Sequence, residues 1–312
     1  MDPCQSEGIV IQASSGLFQV ETAHGVIECM ARAGADPGAI VPGDRVLISQ
    51  QPAGRGVIES MMPRATRFSR KVAGRRQDEQ VIAANLDQVV IVLAAAEPAF
   101  KETTLDRYLA AAEHCGLNAV VCVNKIDLAP TADADAAREL AGRTDVYARI
   151  GYPVIMTSVV TGTGVNNLRQ ALEGRVSALV GPSGVGKSSL ICAVSPGISL
   201  DTREISESTG KGRHTTTCSR LIKLGNGGYV ADTPGMREFG FHQVSRDELA
   251  WCFREFRPHA QSCRFADCRH VTEPGCGVRK AVEQGLVPRG RYEHYVRLME
   301  GGVSQSNRLV IC

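Results

Sequence analysis

The sequence predicts a multidomain chain: a small N-terminal β-barrel, a central doubly wound α/β domain built on a phosphate-binding loop, and a C-terminal helical region assembled around a metal. Three observations carry that reading. Residues 8–60 hold five short β-prone runs separated by turn residues. From about residue 86 buried strand-like runs alternate with helices around Gly181–Ser188. Residues 263–276 concentrate three cysteines and a histidine. The expected boundaries are 1–63 for the barrel, 64–85 for a basic linker, 86–242 for the α/β domain and 243–312 for the helical region. A length of 312 residues is compatible with about two to three domains.

Composition narrows the classes. Hydrophobic content of 43% and charged content of 22% are ordinary for a globular protein with real cores. The net charge of +2 is too small for a general polyanion binder, so any nucleic-acid affinity comes from local patches. No apolar run approaches the roughly 20 residues of a membrane span. The first residues carry Asp2 and Glu7 and have no basic segment of the signal-peptide kind. Eleven cysteines scattered among strands and helices suit a reducing cytoplasm rather than a disulfide scaffold. A cytoplasmic monomer is the expectation.

In chain order, strands are expected at Gly8–Ala13, Leu17–Thr22, Val26–Arg32, Arg45–Ser49 and Val57–Ser60, with Gly, Pro and Asp between them. Five short strands at this spacing suggest a closed OB-fold barrel, a type that often carries oligonucleotides. Arg64, Arg67, Arg70, Lys71, Arg75 and Arg76, with Phe68 among them, lack apolar periodicity and read as an exposed linker. That run is either ordinary solvated charge or a track for a phosphate backbone. Gln88–Ala95, apolar after its first residue, and Ala119–Val123 read as strands covered on both faces. Helices are expected at Glu102–Cys115, Asp133–Leu140 and Val165–Glu173, and further strands at Val154–Thr157, Val176–Val180, Ser219–Leu224 and Tyr229–Ala231. This alternation is that of a doubly wound sheet.

Gly181-Pro182-Ser183-Gly184-Val185-Gly186-Lys187-Ser188-Ser189 follows one of those strands and opens a helix over Lys187–Val194, the context a P-loop needs. Polyphosphate requires several backbone N–H groups turned inward, and glycine allows the chain to curl that tightly. The helix N-terminus adds its dipole. Lys187 is expected to reach the outer phosphates and the Ser188 hydroxyl to sit on Mg²⁺. Asn124-Lys125-Ile126-Asp127 ends the Ala119–Val123 strand. The Asp127 carboxylate can accept both N1–H and the exocyclic amine of guanine, whereas adenine would leave it unpaired. Lys125 would lie along the base plane and Asn124 would tie this loop to the P-loop. Backbone N–H groups at Thr157-Ser158-Val159 are expected against the guanine oxygen. The ligand is therefore GTP rather than ATP.

Asp232-Thr233-Pro234-Gly235 places Asp232 to hold Mg²⁺ through water and the Gly235 N–H to sense the γ-phosphate. Gly210–Thr217 is glycine-rich, polar and aperiodic, as expected of a loop that orders around γ-phosphate and metal. Thr216 is expected to complete the metal shell, with Thr215 as its rival. Guanine recognition precedes the P-loop in this chain, whereas ordinary GTPases begin with the P-loop, so the order is circularly permuted. A layered sheet tolerates such a cut where the original ends lie close together. Met236 stands where many GTPases carry a water-orienting glutamine. His214 is the best substitute. Cys263, Cys268, His270 and Cys276 form C-x4-C-x-H-x5-C, which fills a tetrahedral zinc shell and leaves no position for water, so the site is structural. Cys252 is the nearest competitor.

Together these motifs resemble the ribosome small-subunit-dependent GTPase family, RsgA (also called YjeQ), over nearly the whole chain. The resemblance rests on the barrel ending near Pro63, Asn124–Asp127, Gly181–Ser188, Gly212-Arg213-His214-Thr215-Thr216, Asp232–Gly235 and the zinc quartet in that order. It implies an OB-fold, a circularly permuted P-loop GTPase and a zinc-binding domain. It also implies GTP hydrolysis stimulated by the small ribosomal subunit during its late maturation, with rRNA bound along the barrel and residues 64–76, and it points to His214 as the catalytic water-positioner. A GTP-gated rRNA scaffold whose hydrolysis is incidental is the alternative. A metabolic kinase is disfavoured, because no acceptor-substrate domain is apparent.

Overall fold

The computed structural model describes residues 5–14, 16–32, 34, 36, 39–51, 54–71, 79–129, 134–198, 219–232 and 244–301. In chain order the strands and helices are β1 (Gln5–Ser14), β2 (Leu17–Thr22), β3 (Gly25–Ala31), β4 (Arg45–Gln50), β5 (Gly56–Met61), β6 (Arg67–Lys71), β7 (Glu79–Ala84) and β8 (Gln88–Ala94). There follow α1 (Glu102–His114), β9 (Asn118–Asn124), α2 (Ala134–Ile150), β10 (Val154–Met156), α3 (Val165–Leu172), β11 (Val176–Val180) and α4 (Lys187–Val194). The last elements are β12 (Ser219–Lys223), β13 (Tyr229–Asp232), α5 (Arg246–Leu249), α6 (Arg257–Ala260), α7 (Gly277–Glu283) and α8 (Arg289–Gly301). The chain divides into two compact units: 1–89 with 165–180 and 187–237, and 90–164 with 181–186 and 238–312.

The first unit begins with the barrel. Its strands run in the order β1-β2-β3-β5-β4, and β1 pairs back onto β4 to close it. Val10, Phe18, Val20, Cys29, Val46, Ile48 and Ile58 fill the interior. Phe18 and Val20, like Val46 and Ile48, alternate inward with more exposed neighbours, the period of two that a half-buried strand demands. Strand β1 does double duty. Residues Gln5 to Ile9 pair with β4, and after a register shift between Val10 and Gln12 the strand pairs Gln12 with Arg220 and Ala13 with Ser219 of β12. Such a bulge bends a strand and lets it leave one partner for another. Beyond β12 the same sheet continues antiparallel into β13 and then parallel into β11.

The expected basic linker is corrected. Residues 67–71 and 79–84 form an antiparallel hairpin, with Phe68 opposite Ala83 and both buried. Basic side chains hide the element because its buried apolar residues lie mainly in the second strand, at Ile82, Ala83 and Ala84. Arg64 is not solvated charge either: its Nε and Nη2 donate to the two oxygens of the fully buried Asp44 at 2.6 and 2.8 Å. Arg75 and Arg76 lie outside the described residues.

In the second unit the strand order is β10-β9-β8, with β9 and β10 parallel. All seven residues of β8 and six of seven in β9 are buried, which explains the apolar runs Val89–Ala94 and Ala119–Val123. Helix α2 runs to Ile150, well past the expected end at Leu140. Residues 246–256 form the short α5 followed by two separate 3₁₀ turns. Phe253, Phe256, Val278, Val287, Tyr295 and Met299 form the core there, and Ala110 of α1 packs into it.

Candidate nucleotide and zinc sites

In the second unit the strand end of β9 meets the glycine-rich loop. Asn124 is 2% exposed; its Nδ2 donates to the Val185 carbonyl at 2.9 Å, and its Oδ1 accepts from the Thr157 hydroxyl at 3.1 Å. Thr157 in turn donates its N–H to the Val123 carbonyl and accepts from the Ile126 N–H. One buried amide thus ties the Asn124–Asp127 turn, the end of β10 and loop 181–186 together, the tie expected of it from sequence. Two glycines are sterically required. At Gly181, with φ +139°, a Cβ would lie 2.0 Å from the Val92 carbonyl oxygen. At Gly186, with φ +94°, it would lie 2.5 Å from Asn124 Nδ2. Only a residue without a Cβ lets the loop approach β8 and Asn124 this closely.

Lys125 adopts the left-handed conformation, φ +59°, and its ammonium donates to the Glu97 carbonyl. Asp127 lies half-buried in a single 3₁₀ turn, Ile126–Leu128. Ser158 is fully buried, and its N–H donates to the Thr163 carbonyl at 3.0 Å while its hydroxyl accepts from the Thr161 N–H at 3.1 Å. Both Ser158 groups are therefore committed to shaping the 158–163 turn that carries Val159, in place of the expected contact from the Ser158 N–H to guanine. In the loop itself Pro182 and Gly186 are half-buried, while Ser183 and Gly184 are exposed.

The first unit holds the remaining described residues. Lys187 and Ser188 are half-buried and Ser189 exposed at the start of α4, which is anchored by Leu190, Ile191 and Val194. Asp232 ends β13. Its Oδ2 accepts from Arg220 Nε at 3.1 Å and lies 3.1 Å from Nη2 in the same ion pair, a partner that sequence reasoning missed because it follows from cross-strand register. A serine hydroxyl and a carboxylate are hard oxygen donors and fit Mg²⁺. His214, Thr215, Thr216, Gly235 and Met236 lie outside the described residues.

The ligand atoms of Cys263, Cys268, His270 and Cys276 all lie within 4.8 Å of one another. Cys263 Sγ is 3.5 Å and Cys276 Sγ 3.4 Å from His270 Nδ1. Backbone N–H groups of Gly277 and Arg279, at the start of α7, donate to the sulfurs of Cys263 and Cys276 at 3.2 and 3.4 Å and favour thiolate. Burial lowers the His270 pKa, which favours the neutral imidazole a metal binds, and burial pushes the Cys268 thiol up to about 12. Three sulfurs and one imidazole at this spacing fit zinc. Cys252 is no part of it: its thiol donates to the Glu248 carbonyl within the hydrophobic core.

A guanine-type strand end bonded to a P-loop, with that loop late in the chain, defines a GTPase with permuted motif order. Comparison with known proteins agrees. The family model described as RsgA GTPase matches residues 61–242. A small ribosomal subunit biogenesis GTPase RsgA of Gemmatimonas aurantiaca is 44% identical over 94% of this chain and 96% of its own length. One of that name from Moorella thermoacetica is 40% identical, with the same shares covered. Among solved structures, YjeQ from Thermotoga maritima superposes with a TM-score of 0.80 at 35% identity, covering 95% of this chain and 98% of that one. YloQ, described as a circularly permuted GTPase, superposes with a TM-score of 0.77 at 28% identity, covering 95% and 94%. The chain belongs to the RsgA GTPase family.

Proposed function

We propose that this GTPase acts in the late maturation of the small ribosomal subunit, binds its rRNA, and hydrolyses GTP faster when that subunit is bound. The reading is supported by the relatives' names. The observation that carries its chemistry is the Asn124–Val185 hydrogen bond, which couples base recognition to the phosphate loop. Asp127 accepts from guanine, Lys125 lines the base, and the Val159 N–H faces the guanine oxygen, with Ser158 holding its turn. Residues 181–189 cradle the phosphates, and Lys187 neutralises the charge that develops on the γ-phosphoryl group. Ser188, Asp232 and Thr216 hold Mg²⁺, which supplies electrostatic stabilisation of the phosphates. His214 orients the attacking water in place of the glutamine that Met236 displaces. Zinc on Cys263, Cys268, His270 and Cys276 is structural. The protein works as a cytoplasmic monomer; no helix among the described residues is long and apolar enough to cross a membrane.

The test is GTP turnover by the full chain with purified small subunits, large subunits or bare rRNA. Stimulation by small subunits alone is expected, and His214→Ala should remove it while GTP binding survives. Equal turnover in all three mixtures would sink the subunit assignment; undiminished stimulation of the variant would remove His214 from the mechanism.

A further inference from the structure

Strand β12 has the barrel's β1 on one side and β13 on the other, and Arg220 sits at the crossing point. Its backbone partner on one side is Gln12, and on the other Asp232. The guanidinium reaches across to Asp232, and both of its contacts go to the same carboxylate oxygen, Oδ2. This is not the two-oxygen fork that binds Asp44 to Arg64. A fork uses both oxygens and is the stronger, more rigid arrangement. The Asp232 side chain is 34% exposed and that of Arg220 is 50% exposed. Such a pair is weak enough to be broken by a stronger competitor.

We propose that Arg220 is a built-in counter-cation for the metal-site carboxylate. It pairs with Asp232 and would compete with hydrated Mg²⁺ for that carboxylate. The inference rests on the assignment of Asp232 to the Mg²⁺ site made above. A fixed positive charge beside Asp232 lowers metal affinity in two ways: it occupies the acceptor, and it repels the ion. Arg220 is therefore a positioning residue that tunes how much Mg²⁺ is needed before GTP is held. Because β12 is hydrogen-bonded to β1 at Arg220, a shift of the barrel strand would bear directly on that residue.

The test is equilibrium binding of a fluorescent, non-hydrolysable GTP analogue to the full chain during a Mg²⁺ titration. R220Q and R220M, two neutral replacements at a half-exposed position, guard against a folding failure peculiar to one side chain. Both should reduce the half-saturating Mg²⁺ concentration by about three- to tenfold, with nucleotide binding in chelator unchanged. An unchanged or increased Mg²⁺ requirement overturns the proposal. D232N separates the two layers of the argument. If it raises the Mg²⁺ requirement while R220Q and R220M do nothing, only the counter-cation role fails. If D232N also leaves the requirement unchanged, Asp232 is not at the metal and the underlying site assignment fails with it.

Discussion

Two appended modules meet α/β elements in different ways. In the first unit the barrel is joined by backbone: β1 leaves β4 and continues as a ladder partner of β12. Side chains only reinforce the join, with Glu21 of β2 accepting from Lys223 and from the Tyr229 hydroxyl at 2.7 Å. In the second unit the helical region is joined to α1 by buried charge. Arg291 of α8 lies between Asp106 of α1, at 2.6 Å, and Glu255, at 2.7 Å, while its guanidinium also faces the rings of Tyr147 and Phe253. Asp106 additionally accepts from the Tyr147 hydroxyl and pairs with His294. Glu113 takes Arg254 and Arg257. A strand ladder fixes register and direction whatever the side chains are. A buried ion network fixes geometry only while every member is present, because the loss of one leaves an uncompensated charge.

The largest test of this contrast is the metal. Cys276 belongs to the quartet that could hold a metal ion, and its sulfur also caps α7. Cys276→Ser, or chelation of the wild type, should unfold the C-terminal helical region, an effect on the order of 10 kcal/mol if it follows small zinc domains. Trp251, the single tryptophan, lies in that region and reports the change by fluorescence. The barrel strands should keep their β-sheet circular dichroism signal. Unchanged Trp251 emission in chelator would mean that the quartet carries no structural ion.

Next in size is the ion network. Arg291→Met strands the carboxylates of Asp106 and Glu255, whose side chains are 0% and 6% exposed. A loss of about 3–5 kcal/mol is expected in urea unfolding. Replacing Asp106, Glu255 and Arg291 together by Asn, Gln and Met should recover much of it, since no charge is then left unpaired. If the triple variant is as unstable as the single one, packing rather than charge makes that join.

The contrast also explains what could be read from the sequence. The barrel strands are legible because turn residues bound each one and because β2 alternates Phe18 and Val20 with polar Gln19 and Glu21. The proposed nucleotide residues stand out because phosphate and guanine chemistry would impose local spacing, and at Gly181 and Gly186 a Cβ would collide with Val92 and Asn124. The hairpin of β6 and β7 is not legible: basic residues mask Phe68, and its apolar partners lie about fifteen residues on. Arg64–Asp44, Arg220–Asp232 and Arg291–Asp106 are equally hidden. Each pairs residues that only tertiary register brings together, and nothing local separates those arginines from solvated ones.

The smallest test addresses the barrel join and uses pH. Burial alone would raise the Glu21 pKa, but the hydrogen bonds from Lys223 and Tyr229 outweigh it and hold the carboxyl below its usual 4.5. A depressed folded-state pKa means stability that is present above the unfolded value and lost as pH falls through the folded one. Glu21→Gln should therefore cost about 1 kcal/mol at neutral pH, modest because the Lys223 side chain is 58% exposed. The gap from wild type should close as the pH is lowered towards about 3. Amide exchange at Gln12 and Ala13 separates ladder from side chain. If the backbone makes the join, those amides stay protected in Glu21→Gln even though the melting temperature drops. Loss of their protection would show that Glu21 holds the ladder together, and the barrel would then depend on charge as the helical region does.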